Sequence, residues 1–256
     1  MQNLKVSLIQ ANQIWEDKKA NYENYEQLLA DVSADLILLP EMFNTGFSMN
    51  ILELAEEWET STAIAWLQRT AKQKNAAIYT SLIIKEDGAT YNRGVFVYPS
   101  GERHFYDKRK TFGLAGEDQF FKSGEKETIV EYLGWKIQLQ ICYDLRFPEI
   151  ARNRIDKTGN PAYDIILYVA NWPDKRITHW DALLKARAIE NQCFVLACNR
   201  VGVDSNKLIY SGHSNVLSPS GEKMGNNFEI EGSLYFEIDF SSLEGIRTKL
   251  PFLKDI

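Results

Sequence analysis

The chain has 256 residues, 45% of them hydrophobic and 25% charged, which is enough apolar material to bury a full core and too ordinary a balance for a disordered chain. Against 29 Lys and Arg stand 35 Asp and Glu, and the resulting net charge of −6 leaves no basic field for nucleic acid or an anionic membrane surface. A small-molecule partner fits better. Three widely spaced cysteines make no disulfide framework, and three histidines outside any H-E-x-x-H or C-x-x-C context give no metal site, so neither metal nor cofactor is expected. No apolar run approaches a membrane span, and the N-terminus leads almost directly into a strand-like segment, so a cytoplasmic location is expected.

In chain order, LKVSLIQ (4–10) reads as a strand and 18–32 as a polar helix. ADLILLP (34–40) has the character of a fully buried strand, and TAIAWLQRTAKQKN (62–75) that of an amphipathic helix with Ile64, Leu67 and Ala71 on one face. AAIYTSLIIK, YNRGVFVYP and ERHFYDK form a locally antiparallel meander, separated by the turn signals Asp87-Gly88 and Ser100-Gly101. After a Gly-containing loop at 113–124, WKIQLQICYD (135–144) is a strand that ends where Phe147-Pro148 lets a helix begin. YDIILYVANW (163–172) is another strand, 176–190 a helix, and CFVLACNR a further strand. Two late strand pairs are predicted around HSNVLSP and SLYFEID, with an extended tail at the end. This alternation, with no linker, low-complexity tract or close repeat, predicts one α/β domain over 1–256. Two sheets, each covered by helices on its outer side, would house so many buried strands as a four-layer αββα sandwich.

Glu41, Lys108 and Cys142 each follow a predicted strand, the place where α/β folds gather loops and ligands. Three strands could therefore deliver a carboxylate, an ammonium and a thiol to one rim. Cys142 stands at a strand-to-helix elbow whose backbone N–H groups would favour a thiolate and an oxyanion alike, although most free cysteines are simply small buried hydrophobes. Cys193 and Cys198, on opposite faces of CFVLAC with no charged neighbour in sequence, keep that plain reading. Glu41, buried beside an apolar strand, could take the thiol proton; taken alone it is as readily a cap or a solvated charge. Lys108 alone could be part of a solvated basic turn. Glu117, between two aromatic groups in FGLAGEDQFF, suggests a loop folded inward with a second carboxylate.

Asn171 and Trp172 end another buried strand and could offer an amide and a pocket wall, and Phe43, Phe47 and Met49 could line the same pocket or pack a loop. Arg146 is the evident cation for a substrate carboxylate, with an ion pair to Asp144 or Glu149 as the structural alternative. Arg187 shares a helix stripe with Trp180, Leu183 and Leu184 and is expected to pair with Glu190 as scaffolding. The three histidines gain nothing from their surroundings. A serine hydrolase would need G-x-S-x-G, which Gly212-His213-Ser214 does not supply.

LLPEMF (38–43), YDKRKTF (106–112) and QICYDLRFPE (140–149) resemble the three catalytic blocks of the nitrilase superfamily, the carbon–nitrogen hydrolases. YVANWP (168–173) and HWDALLKARAIENQ (179–192) extend the likeness nearly end to end, and PEMFNTGF, CYDLRFP and ANWP together look most like omega-amidases, also called 2-oxoglutaramate amidases. The resemblance implies an αββα sandwich that forms a homodimer and needs no cofactor. It implies Glu41 as general base, Lys108 as stabiliser of the tetrahedral intermediate and Cys142 as the nucleophile that forms a thioester, with Glu117 orienting Lys108. It further implies ammonia release from a small ω-amide acid of the 2-oxoglutaramate or 2-oxosuccinamate type, with the Tyr143 backbone N–H at the oxyanion. Carbamoylase, nitrilase or general amidase activity, or a non-catalytic scaffold on the same fold, are the alternatives.

Overall fold

A computed structural model describes residues 2–157, 159–227 and 229–255. The strands are β1 (Leu4–Gln10), β2 (Leu36–Leu38), β3 (Glu56–Glu57), β4 (Ala77–Glu86), β5 (Ala89–Val97), β6 (Arg103–Asp107), β7 (Ile129–Tyr132), β8 (Trp135–Ile141), β9 (Ile165–Ala170), β10 (Phe194–Asn199), β11 (Val201–Val203), β12 (Ile209–Ser211), β13 (Asn215–Leu217) and β14 (Gly232–Ile238). The helices are α1 (Lys18–Leu28), α2 (Ile51–Leu54), α3 (Thr62–Lys74), α4 (Glu117–Phe120), α5 (Pro148–Ala151), α6 (Ile177–Asn191) and α7 (Phe240–Lys249).

Two sheets carry the fold. One runs β14-β1-β2-β4-β5-β6 with β3 on β4, and the other runs β13-β10-β9-β8-β7. In each the central strands are parallel and the flanking ones antiparallel. Strand periodicity sorts the side chains: Leu4, Val6, Leu8, Leu36 and Leu38 meet Ile137, Leu139 and Ile141 between the sheets, whereas Ile9, Ile37 and Ile78 face outward. That outer face is covered by Tyr25 of α1 and by Ile64, Trp66, Leu67 and Ala71 of α3. The second sheet packs on Trp180, Leu184 and Ala188 of α6. The result is the αββα sandwich expected.

Local chemistry sets several boundaries. Asp17 caps α1 by accepting from Ala20 N, and Ser61 caps α3 by accepting from Ile64 N. Asn75 ends α3 in the left-handed conformation. Asp87 and Gly88, both at positive φ, make the two-residue turn that joins β4 to β5.

Three expectations need correction. The final residues are not an extended tail. Phe240–Lys249 is a helix that Asp239 caps through Ser241 N and Ser242 N, and Arg247 ties it to Asp164 at 2.6 Å. The late strands do not pair with each other either: β13 joins β10 in one sheet and β14 joins β1 in the other. Lastly, the chain between them and β10 forms a short hairpin, β11 with β12, that the periodicity did not reveal because its strands are three residues long.

Candidate active site

Each of the three reactive side chains stands just beyond a strand end. Glu41 follows β2 after a Pro, and its loop is pinned: Gln13 Nε2 donates to Glu41 O at 2.9 Å and to Met42 O at 3.2 Å, and Ser81 Oγ accepts from Met42 N at 2.9 Å. Lys108 follows β6 directly. Cys142 opens a 3-10 turn after β8 at φ 43°, a left-handed conformation rare outside glycine that turns the thiol off the strand. Asp144 holds this elbow, its buried carboxylate accepting from Ile141 N at 3.0 Å, Tyr106 Oη at 2.9 Å and Lys110 N at 2.9 Å. One side chain thus locks the nucleophile turn to the segment that carries Lys108. Arg187 supports the turn from below, donating to Leu145 O at 2.6 Å and to Glu190 at 2.8 Å as expected of scaffolding.

Lys108 Nζ lies 2.9 Å from Glu41 Oε1 and 2.9 and 3.0 Å from the two oxygens of Glu117. All three groups are buried, with Lys108 1% exposed and both glutamates 0%. Glu117 is fixed on its other side by Phe112 N, and Glu41 Oε2 accepts from Asn171 N at 2.9 Å. Burial alone would favour a neutral amine, but the Glu117 and Glu41 charges outweigh it and raise the proton affinity of Lys108, so the ammonium is retained. Cys142 shares the cavity with Glu41 and Lys108 and feels the charge of both. Burial, then the Glu41 charge, push its thiol well above the usual range while Lys108 opposes them. The expectation that the elbow would favour a thiolate is therefore corrected: desolvation wins, and the sulfur rests as a thiol beside a base. Cys193 and Cys198 are fully buried and their thiols are likewise pushed up by desolvation; Cys198 Sγ points to Ile9 O and Leu38 O, with no acid or amine beside it.

Glu41, Lys108 and Cys142 open into a cavity of about 400 Å³ shared with Phe47, Tyr143, Arg146, Asn171 and Trp172. Glu117 lies behind Lys108 rather than on the wall. Met49 joins the lining, but Phe43 does not; it is buried against Tyr22, Tyr25 and Trp66. Phe47 sets its ring 5.2 Å from Lys108 Nζ. Trp172 is held by Asn199 Oδ1 at its N–H and by Arg176 O at its indole, 2.8 Å each. Arg146 makes neither of the ion pairs weighed for it: Glu149 faces Lys110, Asp144 is taken by the donors above, and the guanidinium stacks 4.6 Å over Trp172. His179 Nδ1 sits 3.3 Å from Arg146, a contact its sequence context did not signal. Ser214, the serine nearest a hydrolase pattern, spends its hydroxyl on Asn199 N and O.

Sequence reasoning missed Asn92, whose Nδ2 bonds Glu41 and Glu117 together at 2.8 and 2.9 Å. The signal lay in YNRGVFV, where an amide interrupts an apolar strand, but such a residue is indistinguishable in sequence from one facing solvent. Among the described residues no group of three or more His, Cys, Asp or Glu is placed to hold a metal ion. What the arrangement can do is move one proton between Cys142 and Glu41 under a fixed ammonium, with the total charge of the buried cluster unchanged.

The carbon–nitrogen hydrolase family model matches residues 5–248. The chain is 40% identical over 257 residues to the omega-amidase YafV of Escherichia coli K12, covering 100% of this chain and 97% of the relative. It is 35% identical over 226 residues to the 2-oxoglutaramate amidase of Bacillus subtilis 168, covering 87% and 85%. A crystal structure of a CN-hydrolase superfamily protein from Xanthomonas campestris, with an arsenic adduct in its active site, superposes with a TM-score of 0.97 at 38% identity, covering 100% and 98% of the two chains. With the αββα sandwich and the Glu–Lys–Cys cluster at its strand ends, the chain belongs to the carbon–nitrogen hydrolase family.

Proposed function

We propose that this protein is an omega-amidase that releases ammonia from a short ω-amide acid of the 2-oxoglutaramate or 2-oxosuccinamate type through a thioester on Cys142. The observation that carries the reading is the contact of Lys108 with Glu41 and Glu117 in the cavity of Cys142, in a chain 40% identical to an omega-amidase over its full length. Glu41 accepts the thiol proton as Cys142 Sγ attacks the amide carbon, and Lys108 with the Tyr143 backbone N–H meets the developing oxyanion. Collapse of the tetrahedral intermediate breaks the C–N bond, and the nitrogen leaves as ammonia with the proton from Glu41. Glu41 then takes a proton from water as its oxygen attacks the thioester carbon, and the acid departs as the proton returns to sulfur. A thiol whose proton is held tightly by burial needs an adjacent base, which is what Glu41 supplies.

The cavity of about 400 Å³ suits a small substrate. A homodimer acting in the cytoplasm belongs to the same reading; its support is the family resemblance, together with the absence among the described residues of any helix long and apolar enough to cross a membrane. The test is ammonia release by wild type and Cys142→Ala from a panel of ω-amide acids, neutral amides, carbamoyl compounds and nitriles. Turnover of ω-amide acids that Cys142→Ala abolishes is expected. Preference for a carbamoyl compound or nitrile would replace the substrate class, and undiminished turnover by Cys142→Ala would end the thioester mechanism.

A further inference from the structure

Two guanidinium groups stand on the cavity wall without a carboxylate. Arg146 and Arg176 both line it, and among the described residues neither forms an ion pair. The acids nearby are engaged elsewhere. Glu149 faces Lys110 and Glu190 faces Arg187. Glu16, on the same wall, accepts from Ser48 Oγ and Asn50 Nδ2, and Asp204 accepts from Leu208 N and Tyr210 Oη.

Both cations are held against aromatic faces. Arg146 Cζ lies 4.6 Å from the Trp172 ring and Arg176 Cζ 5.3 Å from the Phe112 ring. The two supports are linked to each other and to the nucleophile turn. Trp172 Nε1 donates to Arg176 O at 2.8 Å, and the Phe112 ring meets that of Tyr143, the residue after the nucleophile, at 4.9 Å. Burial and the Arg176 cation draw the Arg146 guanidinium below its usual proton affinity, as two like charges on a partly dehydrated wall must. Such a pair is unfavourable by itself and is relieved by an anion. The Arg146 edge meets His179 Nδ1 at 3.3 and 3.4 Å rather than an acid, and the N–H fork of a guanidinium matches a planar carboxylate.

We propose that Arg146 and Arg176 together form the carboxylate-anchoring subsite, gripping the acid end of an ω-amide acid while its amide lies at Cys142. This rests on the omega-amidase reading and adds Arg176 as a specificity-determining residue. The anchor acts on binding, so its loss raises KM for acids far more than it lowers kcat.

The experiment compares glutaramate with valeramide, which has the same chain length and no charge, in wild type, Arg176→Gln, Arg176→Lys and Arg146→Gln. Fold is monitored by thermal melting and by iodoacetamide capture at Cys142. The ratio of kcat/KM for glutaramate to that for valeramide is expected to fall about tenfold or more in Arg176→Gln and Arg146→Gln, mainly through KM. Arg176→Lys, which keeps the charge and loses the planar fork, is expected to fall between. If Arg176→Gln leaves that ratio at the wild-type value while wild type turns over glutaramate, the anchor is wrong and the amidase reading stands. If folded wild type releases ammonia from neither amide, the anchor is wrong, and the amidase reading falls with it when 2-oxoglutaramate is not hydrolysed either. Should Arg176→Gln fail to fold, Arg176→Lys decides, an unchanged ratio counting against the proposal.

Discussion

Asn92 bonds both acids of the site from a single nitrogen, its Nδ2 lying 2.8 Å from Glu41 Oε1 and 2.9 Å from Glu117 Oε1. Lys108 Nζ contacts the same two oxygens, so each carboxylate is set between an amide and an ammonium. The buried Asn92 Oδ1 has no partner, which means that the donor end alone fixes the side chain. Asn92→Leu is therefore expected to lower kcat about tenfold to a hundredfold with little change in KM, the worth of one charge-assisted hydrogen bond that aligns the base. Asn92→Asp, which adds a third negative charge beside one ammonium, should cost more than Asn92→Leu. Steady-state kinetics on an ω-amide acid check both, and wild-type kcat in either variant removes Asn92 from the machinery.

Lys108 offsets two buried carboxylates at once. Lys108→Met leaves both uncompensated, and a loss of about 3–5 kcal/mol of folding stability is expected from denaturant midpoints. Adding Glu117→Gln removes one orphaned charge and should restore part of that loss. A double variant no more stable than Lys108→Met would show that the charges are not coupled as the distances imply.

Glu41 acts on Cys142 in two opposing ways. As base it takes the proton, yet after burial its charge is what pushes the thiol up, against Lys108. For an acid, a raised affinity means that the neutral form persists to higher pH. Glu41→Gln removes the repelling anion and leaves the ammonium, so the midpoint of the iodoacetamide-capture profile should move to lower pH. Ammonia release should still fall about 10²- to 10⁴-fold, because no general base remains. A midpoint that stays put or rises, measured from capture rate against pH, would contradict this arrangement.

The strands that deliver Glu41 and Cys142 were legible from their buried apolar residues, and β6, the mostly polar RHFYD that delivers Lys108, from the Ser100-Gly101 turn signal before it; in each case the side chain that follows inherits its position from the sheet. The sandwich followed from the number of such runs. What escaped the sequence depends on tertiary placement. Asn92 looks like any polar residue on a strand, and only its register opposite Ile83 and beside the Lys108 loop turns it inward. Arg176 precedes a helix with no local pattern to mark it, and its role comes from a ring 64 residues earlier in the chain (176 − 112). The α7 helix has one fully buried residue, Leu243, so almost no hydrophobic period announced it; its Asp239-x-Ser-Ser start was the usable sign.

Gly94 controls how the two sheets meet behind the site. A Cβ there would lie 2.5 Å from Tyr79 Oη and 3.0 Å from its ring, closer than side chains pack. Tyr79 cannot easily move aside: it is fully buried between the sheets, and its hydroxyl donates to Gln140 O, two residues before the nucleophile, at 3.1 Å. Gly94→Ala must push the ring away and break that bond, for an expected cost of about 1–3 kcal/mol. Tyr79→Phe gives up the hydrogen bond but also removes the atom the new methyl would strike first. The double variant Gly94→Ala/Tyr79→Phe should therefore lose less stability than the sum of the singles, by denaturant titration of all four proteins. Strict additivity would mean that the glycine is not there to admit the hydroxyl.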